Sequence, residues 1–103
     1  MVIDQTMNSR RKNQKTQQAR EIVQIVNESG LHARPAAEFV RAASAFRADV
    51  WLVKGKKRFS ATSIVEVLTA DLSRGDGAII EAAGPDAKDA VAQLAELIRQ
   101  LKD

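Results

Sequence analysis

Apolar residues along the chain fall into two patterns, short runs and helical repeats. Four short segments have the composition of β-strands, three of them apolar and one polar: residues 22–26, 49–53, 57–60 and 78–83. Three further segments carry apolar residues three and four positions apart, as the buried face of a helix does, and they begin near residues 35, 63 and 87. The predicted order of elements is therefore βαββαβα.

The residues at the helix starts support this assignment. Pro35 falls in the first turn of the first helix, where its missing N–H leaves no hydrogen bond unmade. Ser63, with Glu66 three residues later, forms the capping box of a short second helix that we expect to end near residue 70. Asp86 follows a Gly-Pro break and is predicted to cap the last helix.

Short connections between alternating strands and helices favour an α+β fold. We expect an open-faced β-sandwich, in which a four-stranded antiparallel sheet is covered on one face by three helices and solvated on the other. A chain of 103 residues leaves room for a single domain of ordinary size.

The formal net charge of +3 hides an uneven distribution. Residues 1–20 carry five Lys or Arg and one Asp, whereas residues 21–103 carry eleven Lys or Arg and twelve Asp or Glu. The first stretch is polar and has no apolar periodicity, so it is predicted to be a disordered basic arm ahead of a domain at residues 21–103. With no signal-peptide-like run and no segment long enough to span a membrane, the expected compartment is the cytoplasm.

The basic arm has two interpretations. It contacts nucleic acid or an acidic partner, or it is a solvated leader. No aromatic residue stands among its basic residues to stack on bases, which favours the second interpretation. A nucleic-acid-binding module acting through the arm is the alternative function of a different class, although the slightly acidic domain itself does not favour nucleic acid as a partner.

The amino-acid composition excludes several common classes of catalytic and metal site. The chain has no Cys and one His, which excludes disulfides, thiolate catalysis and metal sites built from Cys or several His. We therefore expect no metal and no cofactor.

The single histidine, His32, stands directly before a predicted helix, between Gly30 and Arg34. A phosphoryl group on its imidazole would face free backbone N–H groups and the positive end of the helix dipole. Arg34 would add charge-assisted hydrogen bonds, and a neutral imidazole is a nucleophile. An exposed histidine that merely caps the helix fits the same spacing, so the local chemistry leaves both roles open.

Residues 30–36, with the sequence GLHARPA, resemble the active-site signature of the HPr family, the histidine-containing phosphocarriers of the bacterial phosphoenolpyruvate-dependent phosphotransferase system. The resemblance extends from about Glu21 to Leu101 in element order and spacing, and it includes Ser63 and the two residues after it. It implies a monomeric phosphocarrier with the open-faced β-sandwich fold, which carries phosphate without turning over a small molecule of its own.

The resemblance also implies roles for individual residues. His32 would accept a phosphoryl group on Nδ1 from phosphorylated enzyme I and pass it to an enzyme IIA domain in sugar uptake. Arg34 would steady that group, and the backbone amides of Ala33 and Arg34 would cradle it. An apolar docking patch would comprise Ala37, Val40, Ile64, Val65 and Leu68. The pattern alone is equally typical of ordinary helix core, and we expect about half of these five side chains to point outward.

Two positions carry further expectations from the resemblance. Ser63 matches a serine that an ATP-dependent HPr kinase/phosphorylase modifies in many family members, in addition to its capping role. Asp71 falls where many sugar-branch members have Gly, and a similar Asp occurs in the nitrogen-branch paralogue NPr. A regulatory carrier of the nitrogen branch, using the same His32 chemistry, is therefore the alternative function of the same class.

Overall fold

The computed structural model describes residues 17–103, so residues 1–16 of the predicted arm lie outside the described part of the chain. The four strands are β1 (Gln18–Gln24), β2 (Asp49–Lys54), β3 (Lys57–Ser60) and β4 (Gly77–Ala83). The three helices are α1 (Ala33–Ser44), α2 (Ile64–Thr69) and α3 (Ala87–Arg99). The order βαββαβα is the predicted one.

The strands form one antiparallel sheet in the order β1-β4-β2-β3. The strand that is last in sequence, β4, lies inside the sheet and pairs with both β1 and β2. The helices cover one face, as predicted.

Alternation along the strands separates the two faces of the sheet. In β4, Ala78, Ile80 and Ala82 are buried, whereas the residues between them are at least partly exposed. The largest fully buried side chains come from the sheet, from the residue after β1 and from all three helices: Phe39, Ile25, Leu52, Ile80, Leu94, Ile98 and Val67. Burying such apolar area is the main stabilising contribution to a domain of this size.

The first strand corrects the predicted boundary of the arm. We predicted a strand at residues 22–26 and an arm that extends to residue 20, but Gln18–Gln24 pairs along its whole length with β4. Backbone pairing, together with an Arg20–Glu81 ion pair at 3.7 Å, stabilises this polar start of the strand. Residues 18–20 therefore belong to the sheet.

Helix capping agrees with the prediction at one helix and differs at another. The Oγ atom of Ser63 accepts the N–H of Glu66 at 3.2 Å, which confirms the N-cap of α2. The Glu66 carboxylate, however, accepts the N–H of Ser60 at 2.8 Å rather than that of Ser63, because Ser63 N–H already donates to the Ser60 carbonyl.

Asp86 precedes α3, but its side chain makes no capping hydrogen bond. Its carboxylate instead accepts the N–H groups of Arg47 and Ala48, at 2.9 and 2.8 Å, and so joins the start of α3 to the loop before β2. The predicted capping role was wrong because both carboxylate oxygens of Asp86 already accept N–H groups of this loop.

Candidate functional site

His32 lies at the N-cap position of α1. The residue is exposed, and its backbone is extended. Its imidazole makes no capping hydrogen bond, so the structure does not use this side chain to satisfy the helix. Its carbonyl accepts the N–H of Ala36 at 2.8 Å, which begins the helical ladder. The imidazole of an exposed residue is thus held at a helix start without bonding to that helix.

The first turn of α1 contains the two backbone N–H groups that are predicted to bind an anion. The first N–H groups of a helix have no acceptor within it, and those of Ala33 and Arg34 precede Pro35, which has none. No acidic residue lies in this first turn to offset the positive end of the dipole. Both Ala33 and Arg34 are exposed, so their surroundings are open to a bound group.

The loop before His32 is fixed by contacts across the fold. Leu31 N–H donates to the Leu72 carbonyl at 2.8 Å, and the buried Asn27 side chain donates to the Gly30 carbonyl at 2.7 Å. Gly30 has φ +71°, and a Cβ there would lie 2.5 Å from the Leu72 oxygen. Glycine is therefore required immediately before the Leu31–His32 pair.

An acidic side chain that the sequence patterns did not single out also supports this loop. The carboxylate of Asp103 accepts hydrogen bonds from the Asn27 side chain at 3.0 Å and from Ser29 N–H at 3.0 and 3.1 Å. These bonds, chiefly that from Asn27, hold the pKa of Asp103 below its ordinary value, and the nearby His32 adds a smaller effect in the same direction. No local signal could have found a contact between residues so far apart in sequence.

The Arg34 guanidinium is available to a ligand or partner. It takes part in none of the ion pairs recorded among residues 17–103. It lines a cleft of about 230 Å³ between α1 and the end of α3, together with Pro35, Glu38, Leu97, Gln100, Leu101 and Lys102.

A larger, shallow cavity of about 410 Å³ lies on the open face of the sheet. There Arg58 lies 3.8 Å from the centre of the Trp51 ring, and both Arg58 and Arg20 pair with Glu81. None of the residues that line this cavity belongs to the His32 loop, α1 or α2. Its charged groups are paired with one another, and it is separate from the histidine site.

The predicted docking patch is more exposed than we expected. Ile64, Val65 and Leu68 are 39%, 69% and 42% exposed, and Ala37 is also exposed. Val40 is half-buried against the core. The helix α2 buries only Val67 and packs against α1, so its remaining apolar side chains lie at the surface. Large exposed apolar patches mark interaction surfaces, so these residues remain a predicted docking patch.

Asp71 follows α2 and has φ +52°, which makes it the one non-glycine residue with positive φ in the described part of the chain. Asp tolerates this left-handed conformation better than most residues. Its side chain is exposed. At this position the resemblance implies Gly in many sugar-branch members, and Asp71 adopts a backbone conformation for which Gly is the usual choice.

Residues 17–103 offer neither a membrane-spanning helix nor a metal site of the usual kind. No helix in this part of the chain combines the length and apolarity needed to cross a bilayer. The same residues contain no group of three or more His, Cys, Asp or Glu side chains arranged to hold a metal ion.

Comparison with known proteins places this arrangement in a family. The family model described as "PTS HPr component phosphorylation site" matches residues 19–100. The phosphocarrier protein HPr of Vibrio cholerae is 46% identical over 79 residues, which cover 77% of this chain and 93% of that protein. HPr of Haemophilus influenzae is 40% identical over 80 residues, covering 78% of this chain and 94% of that protein.

Solved structures agree with the sequence relatives. HPr-C-His from Thermoanaerobacter tengcongensis has a TM-score of 0.76 and 37% identity, covering 79% of this chain and 91% of that one. HPr from Bacillus anthracis has a TM-score of 0.75 and 35% identity, covering 78% and 95%.

The fold, with an exposed histidine at a helix start, is that of a histidine phosphocarrier, a protein that is not an enzyme in its own right. The chain belongs to the HPr family of the phosphotransferase system. Nothing in these findings favours the nitrogen-branch carrier or the nucleic-acid-binding module.

Proposed function

We propose that His32 is the residue of this phosphocarrier that receives the phosphoryl group from phosphorylated enzyme I and delivers it to an enzyme IIA domain in sugar uptake. The observation that carries this proposal is the exposed imidazole at the N-terminus of α1, which makes no capping hydrogen bond. In the first transfer, the Nδ1 lone pair forms a bond to phosphorus as the bond from phosphorus to enzyme I breaks. The second transfer reverses this step, with enzyme IIA as acceptor.

Arg34 and the first-turn amides stabilise the group during transfer. The N–H groups of Ala33 and Arg34 point along the helix axis toward the N-terminus and donate to the phosphoryl oxygens. The Arg34 guanidinium adds charge-assisted hydrogen bonds. Because the phosphoryl group has to leave again, these donors serve transfer best when they bind the moving group more strongly than the resting phosphohistidine.

Docking of both partners uses the apolar patch on α1 and α2. Ala37, Ile64, Val65 and Leu68 offer exposed apolar area, and the half-buried Val40 supports it from α1. Fully desolvated apolar residues near the centre of an interface contribute most of its binding energy. Because one patch serves enzyme I and enzyme IIA in turn, each complex has to dissociate before the next can form.

Ser63 is the proposed regulatory site, modified by an HPr kinase/phosphorylase. Its Oγ caps α2 directly beside Ile64 and Val65 of the patch. A phosphate there is favoured by the helix N-terminus and opposed by Glu66, and it brings charge to an apolar docking surface. Modification would therefore weaken docking while leaving the helix formed.

We place the protein in the cytoplasm, as a monomer, with the carrier chemistry confined to the domain that begins at β1. We expect the basic residues ahead of β1 to play no part in phosphotransfer, because the family model matches residues 19–100 and does not include them. Substituting Arg10, Arg11 and Lys12 together by Gln should leave the rate of phosphorylation unchanged.

The test of the site is incubation of the chain with phosphoenolpyruvate and its cognate enzyme I. Mass spectrometry should show one added phosphate that is labile in acid and stable in alkali. His32→Ala should abolish it, whereas Ser63→Ala, which leaves the imidazole in place, should retain it. Acid-labile phosphate on the His32→Ala protein would show that the phosphoryl group is carried elsewhere.

A further inference from the structure

The ammonium group of Lys54 lies against the end of the docking helix. Lys54 is the last residue of β2, and its Nζ donates to the carbonyls of Ala70 and Asp71 at 3.0 and 2.9 Å. The Asp76 carboxylate lies 3.6 Å from the same nitrogen. A single half-buried cation thus contacts three oxygens at the C-terminal end of α2 and in the following loop.

These contacts satisfy a part of α2 that the helix cannot satisfy itself. The last carbonyls of a helix lack N–H partners within it and carry the negative end of the dipole, where a cation is favourable. No basic residue lies in the last turn of α2. Lys54 supplies that cation from a neighbouring strand, and its bond to the Asp71 carbonyl holds the left-handed residue that ends the turn.

The same segment supports the histidine loop. Leu72, the residue after Asp71, is buried, and its carbonyl accepts Leu31 N–H at 2.8 Å, directly before His32. Asp76 accepts Ser73 N–H at 2.8 Å through its carboxylate and Ile25 N–H at 2.9 Å through its carbonyl. The end of α2 and the backbone before His32 are therefore joined through the segment that Lys54 contacts.

We propose that Lys54 is a positioning residue for partner docking: it fixes the C-terminal end of α2 so that Leu68 and Asp71 keep their places relative to His32. The inference rests on the proposed function, because it assigns α2 to the docking surface. Lys54 acts through α2, since its Nζ is occupied by oxygens of this chain. The bond that holds the histidine loop, Leu31 N–H to the Leu72 carbonyl, does not involve Lys54 and is expected to persist without it. The effect of Lys54 therefore falls on recognition of the partner rather than on the transfer step at His32.

The first experiment separates docking from transfer. With the full chain as the acceptor of phosphorylated enzyme I, Lys54→Met should raise KM about fivefold and leave kcat unchanged, because the helix end loses hydrogen bonds to a charged donor. Lys54→Arg should restore most of the wild-type KM. The matched control is Lys56→Met, which removes the same charge from the exposed β2–β3 turn.

A second measurement follows α2 without any partner. The N–H groups of Ala70 and Asp71 donate to Glu66 and Leu68 carbonyls at 3.0 and 3.1 Å. In Lys54→Met their amide hydrogens should exchange several times faster than in the wild type, whereas the amides of α3 should be unchanged. Because this measurement needs no phosphotransfer, its result does not depend on the proposed function. Unaltered exchange at Ala70 and Asp71 would overturn the positioning role.

The kinetic outcomes are equally decisive. An unchanged KM in Lys54→Met, a fall in kcat at constant KM, a failure of Lys54→Arg to restore KM, or an equal rise in Lys56→Met would each overturn the inference. Failure of the proposed function has a different signature, since the wild type would then take no acid-labile phosphate or His32→Ala would retain it.

Discussion

The backbone N–H of Leu31 and the carbonyl of Leu72 are 2.8 Å apart, and this hydrogen bond joins the histidine loop to the segment that follows the docking helix. Gly30 allows the approach, because any side chain at this position would begin 2.5 Å from the same Leu72 oxygen. The position of His32 relative to α2 therefore depends on a glycine two residues earlier.

Gly30→Ala should damage both stability and phosphotransfer. The variant has to place an alanine at φ +71° and to separate its Cβ from the backbone of Leu72 and Ser73, whose nearest atoms would lie 2.5 and 3.0 Å away. We expect a loss of at least about 2 kcal/mol of unfolding free energy, measured by urea denaturation. The rate of phosphorylation of the folded fraction should also fall.

Gly55→Ala is the matched control, because Gly55 has φ +61° but would place its Cβ in open space. It should cost only the conformational penalty, roughly 1 kcal/mol, and leave phosphorylation unchanged. Equal losses in the two variants would mean that the contact with Leu72 contributes nothing beyond the backbone conformation.

What could be predicted from sequence was local. The helical spacing of apolar residues in the segments that begin near residues 35 and 87 predicted two helices, and the capping pair Ser63–Glu66 predicted the start of a third. These signals work because the period of a helix and the geometry of its first turn depend on residues close in sequence.

What could not be predicted was set by distant partners. Asp86 was expected to cap its own helix, yet it bonds N–H groups 38 and 39 residues away. Lys54 and Asp103 likewise support the site through contacts across 16 to 76 residues. A carboxylate or ammonium carries no local mark of which distant N–H or carbonyl the fold will bring to it.

Two substitutions of Ser63 separate its capping role from the proposed effect of its phosphorylation on docking. Ser63→Ala removes the acceptor for Glu66 N–H and should cost about 1 kcal/mol of unfolding free energy. Ser63→Asp keeps an N-cap acceptor and should stay within about 0.5 kcal/mol of the wild type, while its charge raises the KM for enzyme I. If Ser63→Asp docks as well as the wild type, the proposed effect of phosphorylation on docking is wrong.

Asp86 should make stability depend on acid pH. Hydrogen bonds from Arg47 N–H, and also from Ala48 N–H, hold the pKa of Asp86 below its ordinary value of 3.8. Because the folded pKa is the lower one, the contribution of Asp86 is fully present above the ordinary value and is lost as the pH falls through the folded value.

Asp86→Asn should therefore be less stable than the wild type at neutral pH, with a difference that narrows below about pH 4. Urea denaturation from pH 7 to pH 3 measures this difference. Asp49→Asn is the charge-matched control, since the Asp49 side chain makes none of the hydrogen bonds or ion pairs recorded among the described residues. A constant gap between wild type and Asp86→Asn across this range would contradict the assignment.

Val65 and Ile22 provide a matched test of the docking patch. Both are exposed β-branched residues, 69% and 73% exposed, but Val65 lies on α2 and Ile22 lies on the open face of the sheet. Val65→Glu should raise the KM for enzyme I about tenfold or more, because docking would have to desolvate a charge in place of an apolar side chain. Ile22→Glu introduces the same charge and should leave KM within about twofold, and neither change should alter unfolding free energy by more than about 0.5 kcal/mol. If Ile22→Glu alone had a large effect on KM, the assignment of docking to α2 would be wrong, and the docking surface would lie on the open face of the sheet.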